Sequence, residues 1–131
     1  MHEWALAEAV TMSVSRYAKD AGVKKIRRLV VALGELQAID REIFEFALSE
    51  TMRSVGIEVE SLELVTEEVV FECNACGYVW RLKDLALPEA VRESIHFLPE
   101  AVFAYVKCPR CGSPDFTIVR GRGLSIVGVE L

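Results

Sequence analysis

Two turns, Cys73-Asn74-Ala75-Cys76-Gly77 and Cys108-Pro109-Arg110-Cys111-Gly112, constrain the fold of this chain more than any other feature. In such a turn the backbone wraps so that two thiolates point at one ion, and the glycine takes a tight left-handed exit that a side chain would resist. Two matching turns predict one four-sulfur site, with the chain between Cys76 and Cys108 looped out and returned. Paired disulfides or a redox Cys-x-x-Cys would leave the duplication and its trailing glycines unexplained. Four soft thiolates in a tetrahedron select zinc, or iron in a mononuclear sulfur site. Because all four positions are taken by protein, the site reads as structural.

The segment these turns bracket is expected to be a separate unit over 71–114, too small to hold a core without its metal. Within it Leu87-Pro88-Glu89-Ala90-Val91 recurs as Leu98-Pro99-Glu100-Ala101-Val102, which predicts two short helices with proline in the first turn. Flanking sequence is of another kind. Leu6, Val10, Val14, Tyr17 and Ala21 recur at helical spacing and predict a helix over 3–21 that stops at Gly22. The apolar, partly β-branched run within 26–36 predicts a central strand.

A second helix opens at Asp40, a good N-cap, with Ile39 placed to staple against Phe44. Its stripes Ile43, Ala47, Thr51, Val55 and Phe44, Leu48, Met52 predict a wide buried face, and Gly56 ends it. From Ile57 to Phe71 apolar residues alternate with Glu or Ser, which reads as one half-exposed strand with an acidic outer face. Strand character resumes over 116–119, turns at Gly121-Arg122-Gly123, and continues to Leu131. The last stretch is too apolar for a free tail, so it should return to the first domain. The expected architecture is α+β: two helices packed on a small mixed sheet, formed by 1–70 and 115–131, with a zinc-ribbon-like four-cysteine domain inserted.

Composition narrows function. With 131 residues, 20 acidic against 15 basic side chains and a net charge of −5, the chain suits one small domain carrying a smaller one. Its acidity speaks against nucleic acid and against anionic membrane, both of which demand clustered cations. No apolar run is long enough to cross a bilayer, and the start does not read as a secretory signal, so a cytoplasmic protein is expected. Two histidines and no glycine-rich phosphate loop offer no base–nucleophile pair or nucleotide cradle, so the chain does not read as an enzyme. A zinc-ribbon module binding nucleic acid or protein is a competing reading, since Arg110, Arg120 and Arg122 gather near the second turn. The Cys-x-x-Cys-Gly turns also resemble rubredoxin, an iron electron carrier. Rubredoxin is free-standing, whereas these turns lie inside a longer chain with its own helices, which favours zinc.

The start of the chain, Met1-His2-Glu3, carries a second candidate site. The α-amine, the His2 amide and the His2 imidazole can form adjoining chelate rings in one plane, a nitrogen set suited to square-planar Ni(II) or Cu(II), to which Glu3 could add its amide or carboxylate. An ordinary surface histidine near a terminus is the other reading. Taken together, the Met-His-Glu start, the α/β domain and the paired turns before a returning strand resemble the HypA family of hydrogenase maturation proteins along essentially the whole chain. That resemblance implies nickel at Met1, His2 and Glu3, structural zinc at Cys73, Cys76, Cys108 and Cys111, and a nickel metallochaperone. It also implies a partner GTPase, HypB, and delivery to the large subunit of [NiFe] hydrogenase. The Pro-led double helix departs from many family members, which have a shorter link between the cysteine pairs. His96 lies in this link, either as a plain polar connector or as a further nickel ligand.

Overall fold

A computed structural model describes residues 2–131. The chain forms two compact units, one of 1–32, 39–65 and 125–131, the other of 33–38 and 66–124. The first unit holds α1 (Glu3–Ala21) and α2 (Arg41–Ser54), together with most of the strands β1 (Lys25–Gly34), β2 (Glu58–Glu67) and β6 (Leu124–Glu130). These strands make a three-stranded sheet in the order β2-β1-β6. The C-terminal stretch therefore does return, as the partner of β1.

The buried face of α1 is shifted from the one its apolar spacing suggests, and that of α2 is a narrower part of the expected one. On α1 the buried residues are Glu3, Ala7, Val10, Thr11, Val14 and Ala18, while Tyr17 is exposed. Ala7, Thr11 and Ala18 are small residues on this face, and Thr11 Oγ1 meets Thr51 Oγ1 of α2 at 2.7 Å. On α2 the buried set is Phe44, Ala47, Leu48 and Met52, whereas Ile43 and Val55 stay exposed. Asp40 caps α2 as expected, its carboxylate accepting from the Ile43 N–H at 3.1 Å.

The second unit holds β3 (Val70–Cys73), β4 (Val79–Arg81), α3 (Glu89–Phe97), α4 (Val102–Tyr105) and β5 (Phe116–Arg120). Its sheet runs β4-β3-β5 with both pairings antiparallel. The repeated Leu-Pro-Glu-Ala-Val segments do start helical structure, although Pro88 caps α3 and Pro99 opens a 3₁₀ turn leading into α4. A core of Val69, Phe71, Trp80, Val102, Val106 and Phe116 lies beneath these elements.

The predicted single strand from Ile57 to Phe71 is two strands in two sheets. The break falls at Glu68-Val69, and the cause is a crowded backbone junction inside the second unit. Gly34 N–H donates to the Gly123 carbonyl at 2.7 Å, and Leu36 N–H to the Gly121 carbonyl at 3.0 Å. A Cβ on Gly34 would lie 2.3 Å from the Gly121 carbonyl oxygen, and one on Gly121 would lie 2.6 Å from the Val69 Cα. Two carboxylates lock the junction: Glu35 accepts from the Val69 N–H at 3.1 Å and Glu67 from the Gly121 N–H at 3.0 Å. Leu36, expected at the end of the central strand, is drawn into the core of the second unit for the same reason.

Candidate metal centres

Cys73 closes β3, and its turn folds back through Gly77 N–H to the Cys73 carbonyl at 3.0 Å and Cys73 N–H to the Tyr78 carbonyl at 2.8 Å. The second turn repeats the scheme, with Gly112 N–H donating to the Cys108 carbonyl at 2.9 Å and Cys108 N–H to the Ser113 carbonyl at 2.9 Å. Gly77 and Gly112 have φ of 78° and 76°, the left-handed exits the spacing calls for. Asn74 ties the turns together: its Nδ2 donates to Asp115 Oδ1 at 2.9 Å, and its Oδ1 accepts from Thr117 Oγ1 at 3.0 Å. Beneath them Phe71 meets Trp80 and Phe116 at ring separations of 5.3 and 5.1 Å, so the turns stand on an aromatic floor.

All four sulfurs lie within 4.8 Å of one another. Cys73 Sγ is 3.6 Å from Cys111 Sγ, and Cys76 Sγ is 3.7 Å from Cys108 Sγ. Both separations far exceed a disulfide bond of about 2.05 Å. They match the edge of a tetrahedron whose centre lies about 2.3 Å from each sulfur, roughly 3.8 Å. The donor set therefore fits one tetrahedral metal ion.

The backbone is already arranged for anionic sulfur. Cys73 Sγ accepts from the amides of Cys76 and Ala75, both at 3.4 Å, and Cys108 Sγ accepts from the Cys111 amide at 3.5 Å. The Cys76 amide leads in lowering the Cys73 thiol pKa. Burial pushes the Cys108 thiol up, yet the amides of Cys111 and Arg110 outweigh it and bring the group down to about 7. At Cys111 the Ser113 amide pulls down, but the neighbouring Cys73 sulfur, burial and the other two sulfurs raise the thiol to about 12. Without a cation the cluster must keep protons on some of its sulfurs. A divalent ion replaces those protons and lets all four thiolates form.

At the other candidate site the structure separates neighbours. His2 is the exposed N-cap of α1, and its side chain makes no capping hydrogen bond. Glu3 is only 5% exposed, and its Oε2 accepts from the Asp40 N–H at 3.0 Å, joining the root of α1 to the cap of α2. Asp40 was legible only as a helix cap; that Glu3 reaches it is a tertiary fact. Met1, the third expected ligand here, lies outside the described residues. His96 sits exposed in the last turn of α3, its ring against Phe97 at 5.6 Å.

An α/β unit accompanied by a four-cysteine unit on paired Cys-x-x-Cys-Gly turns defines a small metal-binding protein, and no helix among the described residues is long and apolar enough to cross a membrane. The family model described as "Hydrogenase/urease nickel incorporation, metallochaperone, hypA" matches residues 1–131. Relatives named hydrogenase maturation factor HypA include those of Pyrococcus horikoshii, 45% identical, and Thermococcus onnurineus, 44% identical. Each alignment spans 100% of this chain and 96% of the relative. The solution structure of the nickel metallochaperone HypA from Helicobacter pylori superposes with a TM-score of 0.68 at 25% identity, covering 100% of this chain and 97% of that one. A second HypA solution structure gives 0.69 at 26%, covering 100% and 96%. The chain belongs to the HypA family of metallochaperones, maturation factors rather than catalysts.

Proposed function

We propose that this chain binds one Ni(II) at its amino terminus, through Met1, His2 and Glu3, and helps deliver it to the large-subunit precursor of [NiFe] hydrogenase. Cys73, Cys76, Cys108 and Cys111 hold structural zinc. On this reading 1–70 with 115–131 is the nickel-binding domain and 71–114 the inserted zinc-binding domain. A GTPase of the HypB type supplies the nucleotide step, since the chain itself catalyses nothing, and the work is done in the cytoplasm without nucleic acid or membrane.

The observation that supports this reading is the contrast between His2 and Glu3. His2 is exposed and uncommitted to capping, as an exchangeable ligand must be, while Glu3 is buried and bonded to Asp40, which anchors the stub from which His2 projects. Exposure permits ligand exchange; the anchor limits the entropy lost on binding. Zinc in a closed thiolate site exchanges slowly and is not the cargo.

Nickel titration of the native chain against one carrying an extra residue before Met1 tests the proposal. The extension displaces the amine and should remove most of the nickel affinity while leaving zinc content unchanged; equal binding by both proteins refutes the site. His96 is proposed as a further nickel ligand, and His96→Ala should then alter nickel affinity or its absorption spectrum. Purified protein that is red and redox-active would instead establish an iron site of the rubredoxin kind.

A further inference from the structure

Among the described residues β2 pairs only with β1, so the far side of 58–63 leaves alternate backbone N–H and C=O groups turned away from the sheet, while farther along the Leu64 carbonyl accepts from Arg41 Nη1 at 3.5 Å. Beside that edge a cleft of about 520 Å³ opens between β2 and α2. Leu29, Leu48 and Met52 form one wall, and Ile57, Val59 and Leu62 the other. This volume falls within the roughly 300–1,000 Å³ typical of ligand clefts. The surroundings are acidic. Glu45, Glu58 and Glu60 line the cleft with Arg53, whose charge is already met by Glu50 at 3.2 Å, and Glu63 lies farther along the same strand.

We propose that the cleft and the β2 edge together receive an extended segment of a partner protein that alternates apolar and basic residues, added to the sheet as a fourth strand. Strand addition satisfies the outward backbone groups, and the period of two sends every second side chain to one face. Apolar side chains then enter the cleft, while basic ones meet the glutamates. Lys25 pairs with Glu60 at 2.8 Å and Arg28 pairs with Glu63, both from the β1 side. Glu58 and Glu45 have no ion pair among the described residues, which leaves negative charge facing the open edge. The same unpaired charges argue against a second copy, since edge-to-edge pairing would bring Glu58 and Glu45 of one chain toward those of the other. This inference is independent of the metal reading, so metal content serves as a control for folding.

The test is an amide-shift titration of the full chain by NMR with a blocked octapeptide alternating Lys and Val. Matched Lys/Ser and Glu/Val peptides separate the apolar contribution from the charge. Shifts centred on the amides of 58–63, with binding by the two control peptides weaker by about tenfold or more, support the proposal. Ser49→Trp, which fills the cleft mouth from an exposed helical position, and Val59→Pro, which removes an edge N–H, should each weaken the Lys/Val peptide by roughly tenfold. Equal binding of the three peptides, shifts centred away from β2, or full binding by both variants at normal helicity and metal content would overturn it. So would a concentration-dependent dimer that the Glu58→Lys variant strengthens, because the edge would then belong to a second copy.

Discussion

The Glu3 carboxylate accepts a hydrogen bond from the backbone N–H of Asp40 at 3.0 Å, and Asp40 in turn caps α2 through the Ile43 N–H at 3.1 Å. One acidic side chain of the proposed nickel site thus holds the first turn of α1 against the first turn of α2. Glu3→Ala should lower the melting temperature and speed hydrogen exchange at the Asp40 amide, while Glu3→Gln, which keeps an acceptor oxygen, should restore much of both. Unchanged Asp40 exchange in Glu3→Ala would separate this contact from stability.

The N-cap gives a smaller and separable effect. Asp40→Ala removes the acceptor for the Ile43 N–H but keeps the Asp40 amide that Glu3 engages. Urea unfolding should show a loss of about 1 kcal/mol, with Asp40→Asn close to the native chain.

Gly34 makes a sharper prediction, because the clash is with backbone rather than with a flexible side chain. Gly34→Ala puts a methyl 2.3 Å from the Gly121 carbonyl oxygen and should destabilise the chain by roughly 1–3 kcal/mol or more, as overpacking does. Equilibrium denaturation monitored through the environment of Trp80, which belongs to the same unit's core, reads the cost.

Removing one sulfur should cost the whole metal site. Cys108→Ser is expected to reduce bound zinc from about one ion per chain to near none, since three thiolates rarely make a closed structural site. The near-ultraviolet signal of the aromatic floor should be lost with it, and a strong chelator acting on the native chain should produce the same spectrum. A variant that keeps full metal content would show that Cys108 is not a ligand.

Acid should weaken the second unit at its surface. Lys83 Nζ lies 2.6 Å from Glu68 Oε1, and this hydrogen-bonded pair holds the Glu68 carboxyl below its ordinary value, with Arg81 helping through its charge. A carboxyl lowered in the folded state stabilises at pH values above its unfolded pKa, and the contribution disappears as pH falls through the lowered one. Lys83→Met should flatten this limb of the stability–pH curve in the acid range. At neutral pH the effect should be small and should shrink further in high salt, because both side chains are about half exposed.

Local chemistry determined much of this protein. Cys-x-x-Cys-Gly spacing set the four-sulfur cluster and its left-handed glycines, because turn geometry acts over five residues. Helix limits at Gly22 and Asp40 and the return of the apolar C-terminal strand were legible for the same reason. Tertiary structure decided what depends on neighbours distant in sequence. The buried face of α1 keeps Val10 and Val14 but runs through Ala7, Thr11 and Ala18 rather than Tyr17, since tertiary packing, with Thr11 against Thr51 of α2, sets which side turns inward. The run from Ile57 to Phe71 divides at Glu68-Val69, where Gly34 and Gly121 bring three backbone segments together, a junction of residues distant in sequence. Glu3 turns inward to Asp40 while His2 stays in solvent: adjacent polar residues at a helix start look alike in sequence, and only the position of α2 tells them apart.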